Sequence, residues 1–147
     1  MNLKIFYSWQ TSTNTKYNKN FILSCIEKSV KNVKRKPEFK NVDFIILEGV
    51  RGEPGSPQVA SKITDERITN CDIFIADLSV VNYINGIKKL IRKISGDRFK
   101  PFQNNNVINE HGVAYNAIGI EKIIGVLNSI YGSPNENPEN KIGRAHV

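Results

Sequence analysis

Four short apolar runs, at 3–7, 44–47, 73–76 and 123–127, limit the folds open to this chain more than any other feature. Each is rich in β-formers and almost free of polar interruption, the pattern of strands that have no face in water. Such strands need a parallel sheet covered on both sides, and the intervening segments supply the cover. Tyr17, Phe21, Ile22, Cys25, Ile26, Val30 and Val33 recur at helical spacing between the first two runs and stop before Pro37. Val59, Ala60, Ile63 and Ile68 do so between the second and third, behind a Pro57 placed to open a helix. Val107, Ile108, His111, Ala114, Tyr115 and Ile118 precede the fourth. Strand and helix in alternation imply a doubly wound α/β domain of four to five strands, with right-handed crossovers.

With 147 residues, 39% of them hydrophobic, the chain has material for one core, expected over 1–132. The Asn/Pro/Glu-rich stretch 133–140 reads as loop or linker. Residues 141–147, Lys-Ile-Gly-Arg-Ala-His-Val, resemble a translated sequencing adapter, so a non-native tail is expected from 141, the alternative being a genuine basic segment after the last strand. The segment 80–103 is longer than a crossover needs, and its basic, helix-compatible part at 84–94 implies an inserted helix or mobile flap. No apolar run approaches the roughly 20 residues of a membrane span, and the start lacks a signal peptide's apolar stretch. A soluble cytoplasmic protein is expected. Cys25 and Cys71 lack metal-ligand spacing and read as reduced packing residues.

The formal charge of +7 gathers in two patches: Lys28, Lys31, Lys34, Arg35, Lys36 and Lys40, then Lys88, Lys89, Arg92, Lys93, Arg98 and Lys100. Neither carries interleaved aromatics, which argues for solvated helix faces over a nucleic-acid footprint.

Parallel sheets of this class bind ligands beyond the carboxyl ends of their strands, so the residues following each strand are the ones to weigh. After the first come Ser8, Trp9 and Gln10; after the second, a stretch holding Gly49, Arg51, Gly52, Glu53, Pro54, Gly55, Ser56 and Pro57; after the third, Asp77, Leu78 and Ser79. Glycines at 49, 52 and 55 permit backbone N–H groups to approach a phosphate, and Arg51 adds a charge-assisted contact. Before the fourth strand, Asn104, Asn105 and Asn106 supply caps for a helix whose first turn would hold Glu110, where the dipole favours an ionised acid. His111 points about 100° away from Glu110 around that helix, as a packing or surface residue would. Plainer roles stand beside these: dipole partner for Glu110, packing anchor for Trp9, turn chemistry for Ser8 and Gln10, a salt bridge for Arg51, a turn cap for Asp77. The chain has no Walker loop, no dinucleotide fingerprint and no Ser-His-Asp or Cys-His motif.

Taken together, Phe6-Tyr7-Ser8-Trp9-Gln10, Arg51-Gly52-Glu53-Pro54-Gly55-Ser56-Pro57, residues 72–79, and Asn106-Val107 with Glu110, Gly112 and Ala114 resemble the bacterial TIR-like family. The likeness is to the branch similar to nucleoside 2-deoxyribosyltransferases and covers most of residues 3 to 131. Glu48 where an aspartate is expected, His111 where an apolar residue is usual, and the long insertion depart from the pattern. The resemblance implies a flavodoxin-like, TIR-type fold that hydrolyses the nicotinamide N-glycosidic bond of NAD, as antiphage effectors do. Glu110 would be catalytic, and Ser8, Trp9, Gln10, Arg51, Gly52, Gly55, Ser56, Asp77 and Asn106 would contact the substrate. NAD is then substrate, with no further cofactor and no metal. The implied partners are other copies of the domain and a sensor domain beyond residue 132. A single acid suffices chemically: positive charge develops on the ribose as the bond breaks, and nicotinamide leaves as a neutral group. Two alternatives are a transferase with Glu110 as covalent nucleophile and a non-catalytic module for nucleotide binding or self-association.

Overall fold

A computed structural model of the protein describes residues 1–49, 57–81, 94 and 102–131, with the side chains at 57–60 excepted. Among them are strands β1 (Asn2–Ser8), β2 (Asp43–Glu48), β3 (Ile73–Asp77) and β4 (Ile123–Val126), and helices α1 (Lys19–Val33), α2 (Pro57–Thr69) and α3 (Asn105–Ile118). The strands form one all-parallel sheet in the order β2-β1-β3-β4, with Ile5 level with Ile46 on one side and Ile73 on the other. This is a flavodoxin-like, doubly wound arrangement. The chain begins in mid-sheet, steps out to β2 and then crosses to β3, so the strand order reverses between β1 and β3. Ligands of such sheets bind outside the carboxyl ends at that reversal.

Side chains alternate across the sheet and divide the core into two layers. Phe6, Phe74 and Ala76 pack with Ile68 of α2 and with Val107 and Ala114 of α3. Ile5, Tyr7 and Ile75 pack on the other face against Ile22 and Ile26 of α1. The Phe6 and Phe74 rings stack with centroids 5.7 Å apart, worth about 0.5–1.5 kcal/mol beyond their burial. Only the two central strands are buried on both faces, β1 from Ile5 onward. The runs that form β2 and β4 read like them in sequence, but as edge strands they leave Ile45 and Ile124 exposed.

Helix α1 turns Ile22, Leu23, Ile26 and Val30 to the sheet and leaves Phe21 and Cys25 outside, as is Tyr17 just before it. Cys25 is therefore an exposed free thiol and not a packing residue, whereas Cys71 is buried. The basic residues 28, 31, 34, 35, 36 and 40 are all exposed. At the start of α3 the Asn104 side chain accepts from the N–H groups of Asn106 and Val107, at 3.0 and 3.4 Å. That cap makes Asn105 the first helical residue and puts Glu110 in the second turn, one turn later than the sequence implied. At the helix end, Gly119 has a positive φ of 85°. The insertion leaves and returns at one place, since Val81 N–H donates to Phe102 O at 3.0 Å. The helix expected at 84–94 lies outside the described residues apart from Ile94. No described helix is long and apolar enough to cross a membrane.

Candidate functional site

Because Phe6 faces α2 and α3, Ser8, two residues on, faces them too. There it meets Glu110, which hangs from the second turn of α3. The Ser8 hydroxyl, 1% exposed, donates to Glu110 Oε2 at 2.5 Å. Oxygen Oε1 of the same carboxylate is turned toward the end of β2, where a Cβ on Gly49 would lie 3.7 Å away. Phe6 Cζ and Thr64 Cγ2 each lie 3.8 Å from that same point. A helix dipole fades within its first turn, so it is not what orients a second-turn acid. The hydroxyl at the end of β1 does that, through a short charge-assisted bond.

A second group occupies the α1 face of the same edge. Tyr7 and Glu48 are level in the β1–β2 pairing, and Trp9 packs into the α1-side core. The Lys19 ammonium, in the first turn of α1, lies 2.7 Å from Glu48 Oε2 and 3.8 Å from the centroid of the Trp9 ring. Arg67 of α2 donates to the Glu48 backbone carbonyl at 2.8 Å. One face of the Trp9 ring is thus covered by a lysine. Burial, followed by the nearby Asp77 and Glu48 carboxylates, pushes the Tyr7 phenol far above its ordinary value, so it stays neutral.

Third, a closed polar network spans the reversal between β1 and β3. Asp77, wholly buried, accepts from Asn18 Nδ2 at 2.6 Å and from Ser79 N–H at 3.1 Å. Asn18 Nδ2 also donates to Thr13 Oγ1 at 2.8 Å, and Asn128, just past β4, donates to Asn18 Oδ1 at 3.1 Å. Gln10 Nε2 donates to Ser79 O at 2.7 Å, while Gln10 Oε1 has no hydrogen-bond partner among the described residues. Burial raises the Asp77 carboxyl above its usual range, and hydrogen bonds from Ser79, Asn18 and Gln10 hold it partly back.

The residues proposed from sequence therefore separate. Ser8 and Glu110 come together, with Gly49 and Thr64 beside them. Asp77 and Gln10 belong to the closed network, and Trp9 to the lysine-capped group. Asn106 is exposed on α3, with its N–H bonded to Asn104. Arg51, Gly52, Gly55 and Ser56 lie outside the described residues. His111 packs edge-on to Phe74, with centroids 6.4 Å apart, and burial lowers its imidazole below the ordinary value. Thr13, Asn18, Lys19, Thr64 and Asn128 escaped the sequence reading. Their partners lie as much as 110 residues away in Asn18–Asn128, and no local spacing signals such pairs. Among the described residues, no three His, Cys, Asp or Glu side chains group so as to hold a metal ion.

No family model matches the chain, and no curated protein matches it either.

Proposed function

We propose that the protein is a TIR-like, NAD-cleaving domain that hydrolyses the nicotinamide N-glycosidic bond through Glu110, in the manner of a self-assembled bacterial defence effector. The observation that carries this reading is the Ser8–Glu110 pair: a half-buried carboxylate, fixed by a strand-end hydroxyl, at the carboxyl edge of a doubly wound sheet. Cleavage moves positive charge onto the ribose, and a preorganised carboxylate stabilises that charge or attacks the anomeric carbon. Water completes the hydrolysis, and neutral nicotinamide departs without a strong general acid.

Purified protein, concentrated or crowded to favour assembly, should release nicotinamide from NAD, and Glu110→Ala should abolish the release. Release that survives Glu110→Ala refutes the assignment. Base exchange between a deoxynucleoside and a free purine, in place of nicotinamide release, would favour a transferase with Glu110 as covalent nucleophile.

A further inference from the structure

The two faces of the sheet are covered unequally. Helices α2 and α3 lie on one, but among the described residues α1 is the only long helix on the other. Four strands span about 14 Å between their outer axes, and one helix covers about 10 Å. Side-chain contacts show which part α1 covers. Lys19 and Lys34 reach Glu48 and Asp43 of β2, whereas Asn18, just before the helix, reaches Asp77 of β3 and Asn128 behind β4. At about 100° per residue, Phe21, Cys25, Lys28, Asn32 and Arg35 follow Asn18 down that second flank in alternating steps of three and four. This is the spacing at which one helix meets another, yet all five side chains are exposed.

The sheet beside that flank is apolar. Ile124 is level with Ile75, which packs under α1, so Ile124 faces the same layer, and it is 44% exposed. At the head of the strip Asn128 donates to Tyr17 O at 3.0 Å and accepts from Ile130 N–H at 3.2 Å. Ile130, 65% exposed, therefore stands near the start of α1, as does Phe21, 57% exposed. Toward the foot, Lys28 and Arg35 form no ion pair among the described residues.

We infer that this strip is a docking surface for an amphipathic helix of a partner protein, apolar where it lies on Phe21, Ile124 and Ile130 and acidic where it passes Lys28 and Arg35. The inference is independent of the NAD-cleaving reading. A helix has the width of the uncovered sheet and the seam spacing of the flank. Charge complementarity at the foot sets its direction and excludes basic partners. A nucleic-acid strand fits less well, because it alternates bases and phosphates along its length and this strip keeps aromatic and basic residues apart. Nor do α2 and α3 of a second copy complement it. The exposed residues of α2 over 61–69 are Ser61, Lys62, Glu66 and Thr69, none apolar, and the one acid of α3 is Glu110, half-buried against Ser8.

The test uses the full chain and two synthetic helical peptides of about 18 residues, long enough to span the seam. Both carry leucines at three- and four-residue spacing; one has glutamates and the other lysines at the seam positions of one end. A fluorophore on Cys25 reports contact, since Cys71 is buried and escapes the label, and calorimetry on unlabelled protein gives Kd. The acidic peptide should shift the label's emission to the blue and bind at least about tenfold tighter than the basic one at low salt. Lys28→Glu combined with Arg35→Glu should reverse that preference. Phe21→Ser and Ile124→Asp should each abolish binding, Phe21→Ser with the melting temperature near that of wild type. Absence of binding, equal affinity for the two peptides, a preference that survives charge reversal, or binding that survives Phe21→Ser and Ile124→Asp would each overturn the inference. So would a label shifted by phosphatidylglycerol vesicles but by neither peptide, which would make the strip a lipid surface. A concentration-dependent dimer in sedimentation that Phe21→Ser disperses would overturn it too, by making a second copy the occupant.

Discussion

Ser8→Ala removes one hydroxyl and should show what orients the acid. The Ser8–Glu110 bond is 2.5 Å long, and the donor side chain is 1% exposed, so water cannot replace it in the folded state. A hydrogen bond to a charged group has a net worth of about 1.5–3 kcal/mol, and so short a bond in a water-poor position belongs at the upper part of that range. With a urea dependence of roughly 2 kcal/mol per molar, the denaturation midpoint of Ser8→Ala should fall by about 1 M. Part of that fall would reflect repacking, so the decisive assay is a double-mutant cycle. Ser8→Ala, Glu110→Ala and the double variant are unfolded in urea at neutral pH, and the coupling between the two sites should come out near 2 kcal/mol. Under the proposed chemistry Ser8→Ala should also lower kcat by about 10- to 100-fold with little change in KM, as expected when an acid is displaced but substrate contacts survive. Coupling below about 0.5 kcal/mol would refute the argument that the strand-end hydroxyl fixes the carboxylate.

Two further expectations concern the polar groups on the other face. Asp77→Asn keeps the shape but turns an NH2 toward Asn18 Nδ2 or Ser79 N–H, at a cost of about 1–3 kcal/mol. Since burial raises the folded-state carboxyl above its unfolded value of 3.8, Asp77's own contribution is fully present below that value and is lost as pH rises through the folded one. The stability gap between wild type and Asp77→Asn should therefore shrink from acid toward neutral pH in urea titrations, and a gap that widens would contradict the linkage. Lys19→Met keeps the stem over the indole but removes both the Glu48 ion pair and the cation over the ring. It should cost about 1 kcal/mol and shift the tryptophan emission, which reports on this one place because Trp9 is the only tryptophan. An unchanged emission spectrum would mean that the ammonium does not sit on the ring in solution.

Much of the fold was legible because it rests on local periodicity. The runs at 3–7 and 73–76 are apolar because both of their faces are covered, and Ile22, Ile26 and Val30 repeat because one side of α1 meets the sheet. Periodicity does not say which of two apolar stripes on a helix turns inward. Tyr17, Phe21 and Cys25 follow helical spacing as well as the inward set does, yet they face out. Nor does a cluster of three asparagines say which one caps. Asn104 takes that place, and the choice moves Glu110 from the first turn to the second. The Ser8–Glu110 contact joins residues 102 apart, so the sequence held the two partners without the distance between them.

The alternation of a strand explains why the polar residues at one sheet edge do different work. Ser8 is level with Ala76 in the β1–β3 pairing, and both face α2 and α3. Asp77, one residue further along β3, must point the other way, into the layer beneath α1. Two carboxylates that converge on one edge in sequence are thus parted by the thickness of the sheet. Asp77 closes on Asn18, Ser79 and their neighbours, and it ties together the turns after β1, β3 and β4. Glu110 meets Ser8 on the opposite side, the one covered by α2 and α3. The two sides are joined mechanically, because Asn104, which caps α3, also donates through Nδ2 to Ser12 Oγ at 3.0 Å, within the loop that carries Gln10 and Thr13. Glu110 is therefore placed from two directions, by Ser8 directly and by the start of its own helix through that loop.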